Sequence, residues 1–281
     1  MIGRYRVALL LAGVVALLAS AGAAQQTGAF ALLGGKAAIV SKFWAAHSSG
    51  ETYALNVQQF TTSGATIKAY DIDMQHLMHM VIVRDDFATF AHEHPSFNAT
   101  TGIFVQNFTK EPNHKYYAFA DTSPKGIGQQ VFRFTLESDG EAAAYKLSTV
   151  PSSYNEKAGP YNVLLQKTTI RAQTPQKLDL TVVEGDDPAT DLVPYLGAAA
   201  HVVMIDISTL SYVHVHPTLK GQTMSMKPNS MRAMMVAAQK AGPFMDVTLP
   251  ALPAGVYKTW VQVAGGPAKT VYTAAFTIVA K

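Results

Sequence analysis

One segment of this chain occurs twice. His79-Met-Val-Ile-Val-Arg-Asp-Asp-Phe-Ala-Thr-Phe-Ala-His92-Glu-His94-Pro95 aligns without a gap on His201-Val-Val-Met-Ile-Asp-Ile-Ser-Thr-Leu-Ser-Tyr-Val-His214-Val-His216-Pro217, 122 residues later. Both copies read H-x12-H-x-H-P. Further on, Tyr116 to Phe119 followed by Val131 to Phe134 matches Tyr257 to Trp260 followed by Val271 to Phe276. A repeat on this scale restricts the fold to two copies of one unit, divided within Gly140 to Pro160, with a longer insert after the second H-x-H-P.

The repeated unit reads as β structure. Short runs such as Tyr53 to Val57, Ile103 to Phe108, Leu178 to Val183 and Val256 to Val263 alternate apolar and polar residues and are broken by turn residues. Period two, β-branched and aromatic enrichment and close spacing are the pattern of antiparallel all-β domains. The expected fold is therefore all-β, with two tandem Ig-like antiparallel β-sandwiches. The boundaries expected are a lead-in over 25–50, the first sandwich over 51–140, a linker over 141–160 and the second sandwich over 161–281. Helical periodicity is confined to Met231 to Ala241.

Residues 1–24 have the form of a secretory signal: Arg4 and Arg6, an apolar run from Val7 to Leu18, then Ala21-Gly22-Ala23 as a small-residue cleavage site. The expected location is periplasmic or secreted, with no membrane span after cleavage. The formal charge is +3, two positive charges of which sit in that leader, so nothing points to a nucleic-acid partner. The absence of cysteine excludes disulfides, thiolate metal sites and a cysteine nucleophile. Any metal must be held by nitrogen, oxygen or thioether.

Each H-x12-H-x-H-P segment folds naturally into a hairpin. Facing residues of antiparallel strands have position numbers of constant sum. With Asp86-Phe87 as the turn that sum is 173, which sets His79 opposite His94 and Val81 opposite His92. Side chains two apart share a face. His79, His92 and His94 then project from one side, with Glu93 on the other. In the second copy the sum is 417, and His201, His214 and His216 come together likewise. A slip of one residue would break the first site. Three imidazoles across two strands suit zinc, copper or nickel with one position left open. A lone histidine is more often surface or core, but six of nine falling into two superposable triads favours metal ligation. His76 stands near enough to the first triad for an accessory ligand.

Methionines form a second group. Met224, Met226 and Met231 belong to a methionine-rich insert, and soft thioether sulfur suits Cu(I). The alternative is that the insert's methionines are ordinary core filling. Met78 and Met80 alternate with His79 and are expected in the sandwich core.

Asp191-Leu-Val-Pro-Tyr-Leu-Gly-Ala198, then His201 and His214-Val-His-Pro217, resembles the D-L-x-P-Y-L-G-A…H…H-V-H-P pattern of secreted bacterial proteins grouped with heavy-metal and copper handling. Met78-His79, His92-Glu-His94-Pro95 and Phe119-Ala-Asp-Thr-Ser-Pro124 resemble the other half of the same proteins. Met74 stands where such proteins often carry histidine. The resemblance covers most of residues 51–281 and implies an exported, Ig-like, metal-associated protein, with no reaction attached.

The reading that follows is a periplasmic metal-binding protein for copper sequestration or delivery, with one three-histidine site per domain, zinc as the alternative metal, and another periplasmic or membrane metal-handling protein as partner. A metalloenzyme with an open three-histidine zinc or copper site, a hydratase, hydrolase or redox enzyme, is the competing class. No paired acid or base accompanies the triads in sequence, and two near-copies suit binding better than catalysis. The third class is an adhesion or structural module.

Overall fold

The computed structural model describes residues 25–138, 140–141, 144–221 and 241–281. The leader, the helical pattern at 231–241, and Met224, Met226 and Met231 lie outside the described residues, apart from Ala241. The described chain is all-β. No helix in it is long and apolar enough to cross a membrane.

The first half holds β1 (Gln26–Thr27), β2 (Ala29–Phe30), β3 (Ile39–Ser49), β4 (Thr52–Thr61) and β5 (Met78–Arg84). It continues with β6 (Phe90–Glu93), β7 (Ser96–Asn98), β8 (Ile103–Thr109), β9 (Tyr116–Thr122) and β10 (Gln130–Leu136). These make two sheets, β1-β3-β4-β8-β7 and β2-β10-β9-β5-β6. The second half begins with β11 (Asn155–Ala158), β12 (Tyr161–Leu165), β13 (Thr169–Ile170), β14 (Gln176–Glu184), β15 (Asp187–Pro188) and β16 (Leu192–Val193). It ends with β17 (His201–Asp206), β18 (Tyr212–Val215), β19 (Thr218–Leu219), β20 (Phe244–Leu249), β21 (Gly255–Gly265) and β22 (Thr270–Ala280). Its sheets run β11-β12-β14-β20-β19 and β13-β22-β21-β17-β18.

Each half closes over its own core. Phe43, Leu55, Val57, Met80, Ile82, Phe104 and Phe134 are among the buried residues of the first, with Phe43 stacked on Phe134 at 4.9 Å. Met78 is in this core too, as its alternation with His79 requires. Tyr161, Leu180, Val182, Met204, Val261 and Phe276 belong to the second.

Two boundaries differ from those expected. Residues 26–49 are not a lead-in. They supply β1, β2 and β3, because Ile39, Ser41 and Phe43 alternate inward and complete the first sandwich. The expected linker over 141–160 is likewise shorter, since β11 already pairs with β12 from Asn155.

A third core joins the halves. The face of β5 and β9 turned away from the first sandwich carries Val81, Val83 and Phe119. It packs on Val203, Ile205, Tyr212 and Trp260 of the second half. The contacts repeat about an approximate two-fold axis. Phe90 on the edge strand β6 stacks on Trp260 at 4.8 Å, and Tyr212 on β18 stacks on Phe119 at 5.3 Å. The chain after β2 also reaches the second half, where Tyr212 donates its backbone N–H to the Ala31 carbonyl and Leu33 donates to the Tyr212 carbonyl. β5 and β17 are therefore buried on both faces, which is why they read as nearly unbroken apolar runs. Trp260→Ala should cost about 3–5 kcal/mol in urea unfolding, since it empties the centre of this joint.

Candidate metal centre

The hairpin registers follow the sums 173 and 417. Val81 faces His92 in β5–β6, and Val202 faces Val215 in β17–β18. Ahead of each hairpin sits a tight turn with two consecutive positive φ angles, as a type I′ turn requires. The angles are 39° and 73° at Met74-Gln75, and 48° and 83° at Leu196-Gly197. Only the second turn uses glycine for this. Each turn is closed by paired backbone bonds, Asp73 with His76 and Tyr195 with Ala198.

These turns fix the first histidine of each triad. His79 donates its Nε2–H to the Asp73 carbonyl at 3.0 Å, and His201 donates its Nε2–H to the Tyr195 carbonyl at 3.0 Å. A carbonyl only accepts, so in each neutral ring Nδ1 carries a bare lone pair. Across the hairpin, His92 Nδ1 donates to Gln262 Oε1 at 2.7 Å, and His214 Nδ1 faces Asp121 Oδ2 at 3.5 Å. The proton of His92 is thereby committed to Nδ1, which leaves its Nε2 bare, whereas His214 Nδ1 is buried without a hydrogen-bond partner. In the first hairpin two bare nitrogens then meet, His79 Nδ1 and His92 Nε2 at 3.0 Å, and in the second His201 Nδ1 lies 3.1 Å from His214 Nε2.

Two lone pairs at that distance need a cation. A proton is a poor choice, because burial disfavours the charged imidazolium. It holds His92 and His216 down to about 4 and His94 to about 2, lowers His79, and puts His201 and His214 well below the ordinary range. A metal fits better. Two nitrogens bound to one tetrahedral ion at 2.0–2.1 Å lie about 3.3 Å apart, close to what is seen. The third histidine of each copy is poised in the same way, since the Nε2 atoms of His94 and His216 are buried without a partner.

Each half contributes a triad, but the triads do not sit in separate places. The expectation of one isolated site per domain is corrected by the packing of the halves, which places the histidine faces of both hairpins against each other. The ligand atoms of His79, His92 and His94 all lie within 4.8 Å of one another, and so do those of His92, His201 and His214. His92 belongs to both groups. His216 lies against His201 and His214, with ring centroids 4.7 and 4.6 Å away.

Asp121 and Gln262 are the site residues that sequence reasoning missed. They hold equivalent places, opposite His79 on β9 and opposite His201 on β21. Gln262 accepts from His92 of the other half, the outer support that metal-binding histidines usually have, and Asp121 stands 3.5 Å from His214 of the other half. Asp121 is buried, which pushes its carboxyl up to about 8, and both its oxygens accept from Gln129 Nε2 at 2.9 Å. A polar residue on the outward face of an otherwise apolar strand, as in Phe119-Ala-Asp121 and Trp260-Val-Gln262, was the available sign. His76, expected as an accessory, stacks on His94 at 4.0 Å and is only half-buried. Its counterpart in the second copy is Ala198, and it is not in either ligand group.

The fold and site define an all-β protein of two sandwich halves with a histidine cluster between them that could hold a metal ion. Residues 155–281, which run from β11 to the end of the chain, match the family of a domain of unknown function (DUF8832). No curated protein matches the chain.

Proposed function

We propose that this is an exported metal-binding protein that sequesters or passes on copper through the histidine centre between its halves. The carrying observation is the pair of facing bare nitrogens in the first hairpin, His79 Nδ1 and His92 Nε2 at 3.0 Å, whose rings have already given their protons to oxygen acceptors, together with the matching approach of His201 Nδ1 and His214 Nε2 at 3.1 Å in the second. Such a set is built to take a cation other than a proton. All-imidazole donors suit both copper and zinc, and copper(II) is the stronger binder at a given nitrogen site. The methionine-rich insert and the resemblance to copper-associated secreted proteins add weight to copper, and the leader at 1–24 to export.

Protein purified from the periplasm of its host should carry copper as its principal metal. Elemental analysis checks this. Zinc in its place would change the metal and keep the site, whereas the same low metal content in wild type and in a variant lacking His79, His92, His201 and His214 would remove the reading. A chain that stays in the cytoplasm on fractionation would remove the export element.

A further inference from the structure

Three ring spacings between the triads are close to those within them, and a fourth, His79–His201, is wider at 6.2 Å. Inside the first triad the ring centroids lie 5.0 to 5.2 Å apart. Across the joint, His79–His214 is 5.4 Å, His92–His201 is 5.4 Å and His92–His214 is 5.3 Å. Rings of the two triads thus stand against each other across the joint. Yet the cluster also has two close nitrogen pairs, partnerless buried nitrogens on His94, His214 and His216, and a polar group of the opposite half beside each of His92 and His214. One ion on one nitrogen pair would leave the other pair and its partnerless neighbour unused.

We infer that the six histidines hold two copper ions as one paired centre, a few ångströms apart, and not as one independent site in each half. The inference rests on the copper-binding reading above. It also specifies a ligand. Two Cu(II) ions repel about four times as strongly as two Cu(I) ions, because the energy scales with the product of the charges. An oxidised pair would therefore favour a small anion such as hydroxide or azide as a further ligand.

Electron paramagnetic resonance on the full chain tests this with Cu(II) as the probe. One equivalent should give an ordinary mononuclear signal. The second should lower the integrated intensity per bound copper by at least half, or add a half-field transition, and azide should alter that spectrum. Two bound ions with the full intensity of two uncoupled spins would overturn the pairing, and so would saturation at one ion. Loading one equivalent of zinc with one of copper should restore a mononuclear signal without any mutation. A His201→Ala/His216→Ala variant should do the same by holding one copper. Copper retention no better than that of a chain lacking all six histidines would instead count against the copper-binding reading itself.

Discussion

Loading with copper should raise the thermal unfolding midpoint by about 10 °C at a free-ion concentration near a thousand times the dissociation constant. Binding to the folded state alone adds about 4 kcal/mol under those conditions. For a chain of this size each kcal/mol moves the midpoint by roughly 2–4 °C. The effect is large because the ligands come from both halves, so that unfolding either half releases the ion. Differential scanning calorimetry with and without metal measures it. The rise should disappear in a His92→Asn/His214→Asn variant compared with its own metal-free form, since His92 is shared by both ligand groups and His214 anchors the second. A rise of the same size in that variant would mean that copper acts elsewhere.

The metal-free chain should lose stability steeply as the pH falls from about 6.5 to 4. The unfolded chain takes up protons on its histidines near 6.5, while burial keeps the folded rings neutral to a lower pH. The unfolded state therefore binds more protons in this window, and stability present at neutral pH is lost on acidification. For His92 and His216, each held down to about 4, the loss by pH 4 is about 3 kcal/mol apiece. His94, His79, His201 and His214 are shifted the same way. Asp121 opposes them, because a carboxyl raised to about 8 favours the fold more as the pH falls through that value, but it is one group against six. Urea titrations between pH 7 and 4 check the slope. Metal should move the loss to lower pH, since bound nitrogens cannot be protonated. A flat profile in the metal-free chain would show the rings to be solvated.

The sequence by itself determined the strand order within each hairpin, its register, and which histidines share a face. Those depend on period two and on chain distance alone, and the observed pairings of Val81 with His92 and Val202 with Val215 follow from them. It also determined the burial of Met78 and Met80, whose parity is opposite to that of His79. It did not show that 26–49 is part of the first sandwich, because short strands such as Gln26–Thr27 and Ala29–Phe30 carry too few residues to display a period. Nor did it show where the two triads lie relative to each other. That depends on how two finished sandwiches dock, which no repeat spacing encodes. Only the tertiary structure decided that the outer faces of β5 and β17 bury each other, that Gln262 and Asp121 each stand beside a histidine of the opposite half, and that His92 stands in both ligand groups. The physical reason is that these faces carry Val81, Val83, Val203 and Ile205 beside the histidines, so burying the apolar residues brings the imidazoles together in the same contact.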